Sequence, residues 1–213
     1  MLIALSVGWW ALVAVHLAGC LRSDKLRRVT KPLLMPALLG IYLVVCPRPE
    51  VAIVIALVFA FAGDSLLLRN GARRMVLGGA AFLVCHVAYV TAFVTSTDWA
   101  AVPGWVWPAA ALYAAAGLAV HRAVRTGLGA TRLPAVAYLV ALAATGLTAL
   151  LRCAGGAPWG TVTWAGTVFF LISDTILVVS QYRRPVERAD FFVMTTYCLA
   201  QYLIVTGLAG GAG

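Results

Sequence analysis

Apolar runs and polar breaks alternate along the whole chain, and the runs are too long for the strands or short helices of a soluble fold. Reading from break to break gives eight stretches: 2–21, 32–46, 51–68, 76–95, 100–121, 133–151, 161–181 and 190–209. Most approach the roughly 20 apolar residues that a helix needs to cross a bilayer, and the second is the shortest. The pattern predicts an all-α fold, a polytopic membrane bundle of eight transmembrane helices. It forms a single integral membrane domain over 1–213.

Composition confirms the class. Of 213 residues, 63% are hydrophobic and 11% charged, against about 25% charged in soluble domains. Most of the chain is therefore surrounded by lipid. The formal charge of +9 would point to nucleic acid in a soluble protein, but here its placement decides. Fourteen of the 16 Lys and Arg residues fall after the odd-numbered spans, leaving Arg48 and Arg152 for the even ones. Basic residues stay on the cytoplasmic side. Both termini are thus expected outside the cytoplasm, the basic patches face anionic lipid head groups, and no nucleic-acid partner is implied. A multi-pass position in a cell membrane, the bacterial inner membrane, follows.

Leu17-Ala18-Gly19-Cys20 resembles a lipoprotein cleavage box, yet residues 1–15 carry no Lys or Arg. A secretory signal begins with positive charge, so the first span is read as a retained helix. The five cysteines are scattered without a C-x-x-C pair, which indicates neither a zinc cluster nor a disulfide framework. The seven Trp lie mostly near span ends, as interfacial anchors do. A shift of 110 residues places Gly63 on Ser173, Asp64 on Asp174, Leu67 on Leu177 and Arg73-Arg74 on Arg183-Arg184. Such self-similarity points to two four-span repeats, 1–99 and 100–213, in the same orientation.

Five of the seven acidic residues fall in loops or at span ends; Asp64 and Asp174 fall inside spans three and seven. An acid within a span costs about 2.5–3.5 kcal/mol on insertion scales and marks a functional site by default. The bland alternative is an Asp that bonds across helices or pairs with a neighbouring Lys or Arg. Asp64 stands five residues before Arg69 and Asp174 nine before Arg183, so both belong to the cytoplasmic half. Other polar residues converge on this layer. They are His16, Lys31 at the start of span two, and Tyr138, with His86 and Tyr89 at i, i+3 and Tyr197 and Gln201 at i, i+4. Thr163, Thr167, Asp174 and Gln181 form a polar stripe on span seven. A polar pocket opening to the cytoplasm is the economical reading. His16 and His86 have no third ligand at metal spacing, so no metal is called for.

Phe61-Ala62-Gly63-Asp64-Ser65-Leu66-Leu67 and Ser173-Asp174-Thr175-Ile176-Leu177 resemble the G-D-x-L-L and S-D-x-x-L signatures of the YhhN family. Lys31-Pro32-Leu33 is similar to its K-P-L opening of span two, and Tyr197 with Leu199-Ala200-Gln201 to its Y-x-x-A-Q stretch. The resemblance spans nearly the whole chain. It implies a cofactor-free hydrolase of the vinyl ether bond of lysoplasmalogen, releasing a fatty aldehyde and a glycerophospho-base, with Asp64 and Asp174 as the catalytic pair.

The chemistry is compatible with that implication. Protonation of the vinyl β-carbon generates an oxocarbenium-like cation, so one carboxylic acid is needed and one carboxylate helps, as in glycoside hydrolysis. Two close carboxyls in a low-dielectric site do not both ionise easily. In this scheme Lys31 and Arg69 hold the lipid phosphate, while His86, Tyr138, Tyr197 and Gln201 position the pair or its water. The partners are a lysophospholipid substrate and the bilayer; oligomeric state is not encoded legibly. A proton-coupled transporter of a small molecule or lipid, using the same aspartates, is the competing reading.

Overall fold

The computed structural model describes residues 2–68, 71–125 and 132–210. These form eight α-helices: α1 (Leu2–Arg22), α2 (Asp24–Val45), α3 (Val51–Leu67), α4 (Ala72–Thr95), α5 (Pro108–Val124), α6 (Arg132–Ala154), α7 (Gly160–Tyr182) and α8 (Ala189–Ala209), with a 3₁₀ turn at Gly104–Val106 before α5. Helices are what a hydrocarbon surrounding permits, because every backbone N–H and C=O is satisfied within the segment. Six of the eight are long and apolar enough to cross a bilayer; α3 is an apolar helix of 17 residues and α5 also has 17.

Two boundaries differ materially from the expected ones. Span two was expected at 32, but α2 begins at Asp24, where the Ser23 hydroxyl accepts a hydrogen bond from the Leu26 N–H. Apolar runs mark the lipid-embedded part of a helix, and α2 extends two turns beyond it through a charged segment. Pro32 and Pro36 thus lie inside the helix, which neighbouring helices tolerate in membranes. The Trp9 indole of α1 donates to the Leu34 carbonyl between them, at 3.0 Å. Span five was expected at 100, but residues 100–107 form turns around Pro103 and Gly104, and α5 starts at Pro108, where proline's missing N–H costs nothing.

Basic residues sit on helix ends as well as in loops. Arg152, expected in an even-numbered loop, is 3% exposed within the last turn of α6. It donates to the Ser96 hydroxyl at 2.9 Å, and to Pro158 O and Thr163 Oγ1 at 3.4 and 3.5 Å, pinning α4, α6 and α7 together. Trp9 is likewise buried rather than an interfacial anchor, stacked on Tyr202.

Packing runs around a ring: α1 on α2, then α3, α4, α6, α7 and α8, which returns to α1. Helix α5 lies outside, against α6 and α7. Small residues set the closest approaches, the usual device where lipid removes the hydrophobic drive between helices. At Gly166 of α7 an added Cβ would stand 2.9 Å from the Ala200 carbonyl and 2.9 Å from the Ile204 nitrogen of α8. Because backbone cannot move aside as a side chain can, Gly166→Leu is expected to destabilise the fold by at least about 1–3 kcal/mol, the usual cost of overpacking. Denaturation in mixed detergent micelles measures it; a neutral Gly166→Leu would contradict this packing.

Candidate active site

Asp64 stands one turn before the end of α3, and Asp174 two turns before the end of α7. They are 2% and 6% exposed, so each carboxyl depends on protein partners. Both line one polar cavity of about 580 Å³, together with His16, Arg27, Lys31 and Tyr197. No hydrogen bond joins the two carboxyls among the described residues.

Asp64 is held from α2 and α8. The Lys31 ammonium lies 3.4 Å from Oδ1, and the Tyr197 hydroxyl donates to Oδ2 at 2.9 Å. Behind Tyr197 the donors run in one direction. The Gln201 amide N–H donates to the Tyr197 oxygen at 3.3 Å, and the Tyr89 hydroxyl donates to Gln201 Oε1 at 2.5 Å. Each step polarises the next towards the carboxylate. Lys31 was expected at the opening of its span; it lies instead in the second turn of α2, where the helix carries its ammonium inward to Asp64.

Asp174 is held from α6 and α4. The Tyr138 hydroxyl donates to Oδ2 at 2.5 Å, and His86 Nε2 lies 3.3 Å from the Tyr138 oxygen and 3.7 Å from Oδ2. One ring nitrogen of the histidine is oriented by its other neighbour. Thr145 spends its only hydroxyl proton on the Ala141 carbonyl, at 2.8 Å. Its oxygen can therefore only accept from His86 Nδ1, at 3.1 Å. That calls for an N–H at Nδ1 and turns Nε2 towards Tyr138 and Asp174. The second histidine is fixed in the same way: Thr30 donates to the Leu26 carbonyl at 2.8 Å and accepts from His16 Nδ1 at 2.8 Å.

At the mouth, Arg27 bridges Asp24 and Asp190 at 2.6 and 2.7 Å, linking α2 to α8 at the helix ends rich in basic residues. Leu68 and Gly71 line the cavity there; Arg69 lies outside the described residues. Lys31, Asp64, Asp174 and Tyr197 thus share one cavity, His86 and Tyr138 stand behind Asp174, and Gln201 stands behind Tyr197. The polar stripe on α7 divides. Asp174 and Gln181 reach the cavity, whereas Thr163 contacts Arg152 and Thr167 bonds the Trp164 carbonyl. Sequence reading missed Thr145, Thr30, Arg27 and Asp190 as members of the site. Tyr138 and Thr145 are seven residues apart and share a helix face, a signal that points to His86 only once α6 is known to pack on α4.

The Lys31–Asp64 pair is enclosed enough for removal of one partner to strand the other. Lys31→Met alone is expected to cost about 3–5 kcal/mol of stability, and much less when Asp64→Asn is already present. A double-mutant cycle of unfolding free energies checks this; additive effects would show that the two side chains are not coupled.

The sequence matches the YhhN family over residues 26–208. It is also 29% identical over 157 residues to a human protein, lysoplasmalogenase TMEM86A. That alignment covers 71% of this chain and 62% of the human protein, so less than two thirds of the relative's length is represented. No solved structure matches the chain. With the family match covering most of its length, including every described residue of the cavity except His16, this multi-pass membrane protein belongs to the YhhN family.

Proposed function

We propose that the protein is a membrane-embedded hydrolase that cleaves the vinyl ether bond of lysoplasmalogen-type lipids by acid–base catalysis between Asp64 and Asp174, without a cofactor. The observation carrying this reading is that both buried carboxyls wall one cavity while standing in different company. One has a lysine and a phenol as neighbours; the other has a phenol and an imidazole. Family membership and the activity in the human relative's name support a related hydrolase.

The steps balance with two carboxyls and one water. One aspartic acid transfers its proton to the β-carbon of the enol ether, leaving an oxocarbenium cation at the adjacent carbon. The carboxylate of the other stabilises the cation and takes a proton from the water that adds there, giving a hemiacetal. The hemiacetal hydroxyl then returns a proton to the first aspartate. The carbon–oxygen bond to glycerol breaks, and the glycerol oxygen takes the proton held by the second. Products are a fatty aldehyde and a glycerophospho-base, with both aspartates restored. Lys31 pairs with Asp64 and supplies positive charge for the lipid phosphate; Arg69 is assigned the same partner by proposal alone. Tyr138 with His86 orients Asp174, and Tyr197 with Gln201 orients Asp64.

Purified protein in detergent should release aldehyde from a synthetic lysoplasmalogen. Asp64→Asn and Asp174→Asn should each lower turnover by roughly 10²–10⁴-fold while leaving the protein monodisperse and helical. Near-normal turnover in either variant would overturn the pairing. Absence of aldehyde, together with solute movement in sealed vesicles, would favour a proton-coupled transporter.

A further inference from the structure

A second cavity of about 250 Å³ adjoins the first and has the opposite character. It is bounded by Val76 and Leu83 of α4, Ala135 and Leu139 of α6, and Val178 of α7. Leu67, Met75, Phe82, Asp174, Leu177 and Gln181 line both spaces, so the two lie side by side along a shared wall. Asp64 borders the polar space alone, whereas Asp174 borders both. Val76, Ala80 and Pro134 are exposed at the rim of the apolar space, on faces of α4 and α6 that a bilayer would cover.

We propose that the apolar cavity seats the single alkenyl chain of the lipid, which sets the enol ether at the seam between the cavities, against Asp174, with the glycerophosphate towards Lys31. The assignment rests on the proposed hydrolysis for the identity of the chain. A one-chain amphiphile is divided as the paired cavities are: a charged head, one apolar tail, and the vinyl ether at their junction. The enol ether is also the point where tail meets glycerol, so seating the tail fixes which aspartate the reactive carbons meet. The chain enters sideways from the bilayer, and the head group faces the polar mouth at Arg27 and Asp190.

Gly79 provides the test. It lines the apolar cavity, and an added Cβ would meet nothing within 4 Å, so a large side chain has room to grow into the seat. Aldehyde release is measured in nanodiscs with a hexadecenyl and a butenyl lysoplasmalogen, for wild type, Gly79→Phe and, on the facing helix, Ala135→Phe. Partition into lipid is common to the three proteins and cancels in the long-to-short ratio of kcat/KM. Filling the seat is expected to lower that ratio on the order of tenfold or more; an unchanged ratio overturns the proposal. In parallel, wild-type protein is photolabelled with a saturated lysophosphatidyl lipid carrying a terminal diazirine. Labels on Val124 and residues 76–83 and 134–139 support the seat, and labels confined to α1 or α8 refute it, whether a resident lipid or another surface is responsible. This second measurement needs no turnover. If wild type releases no aldehyde from either lipid, the proposed reaction fails while the labelling still decides where the chain binds.

Discussion

Two carboxyl groups kept from water inside a bundle of apolar helices impose the strictest constraint on this molecule. Each costs several kcal/mol to place in hydrocarbon, and the cost is offset only by donors aimed at its oxygens. The residues one turn away on the same helices, Ala60, Phe61, Leu67 and Leu68 around Asp64 and Phe170, Leu171, Leu177 and Val178 around Asp174, are apolar and supply none. Asp64 therefore recruits Lys31 from α2 and Tyr197 from α8, and Asp174 recruits Tyr138 from α6 and His86 from α4. Satisfying two aspartates fixes six of the eight helices around a common centre. Helix α5, whose side chains take no part in these contacts, lies outside the ring.

The partners obey a rule that relates the two halves of the chain. Asp64 is gripped by the helix before its own and by α8; Asp174 is gripped by the helix before its own and by α4. Exchanging α2 with α6, α3 with α7 and α4 with α8 maps one set onto the other. Two four-helix repeats would produce this exchange, but α1 closes the ring whereas its counterpart α5 lies outside it. The placement of the partners is symmetric while their chemistry is not: a lysine stands where the other half has a tyrosine, and a tyrosine where it has a histidine. Their different neighbours make the two carboxyls chemically inequivalent.

Much of this was legible in the sequence because membranes make periodicity and charge unusually informative. An acid inside an apolar run stands out, so Asp64 and Asp174 were evident; Lys31 and Tyr138 followed from depth, and Tyr197 from its i, i+4 spacing to Gln201. What sequence could not supply was pairing. Tyr197 meets Asp64 across 133 residues and Tyr138 meets Asp174 across 36; no local spacing encodes either. Helix starts failed for a different reason. Apolar runs report contact with lipid, whereas Ser23 ends α2 by bonding a backbone N–H in a charged segment. Around Pro103 and Gly104 an apolar stretch forms turns and one short 3₁₀ segment rather than an α-helix. Thr145 was overlooked because a threonine bonding its own helix is commonplace, and its meaning lies in the His86 proton that it dictates.

The distribution of polarity along the bundle bears on whether the aspartates serve a bond-breaking site or a passage. Below them, the polar cavity reaches the helix ends where Arg27 joins Asp24 and Asp190. Above them, the space between helices is filled by Tyr42, Ile53, Phe93 and Val205, all at most 2% exposed, and it is closed by Arg152 with Ser96 and Thr163. A transporter must open towards that second end, which here would require withdrawing a buried guanidinium from three oxygens. Breaking such a set gives up hydrogen bonds from a charged donor, each worth about 1.5–3 kcal/mol. A hydrolase needs nothing of the kind. Its lipid can enter and its aldehyde can leave through the apolar side, while the water-soluble product departs through the polar mouth, so a rigid far end is an advantage for holding two carboxyls in register.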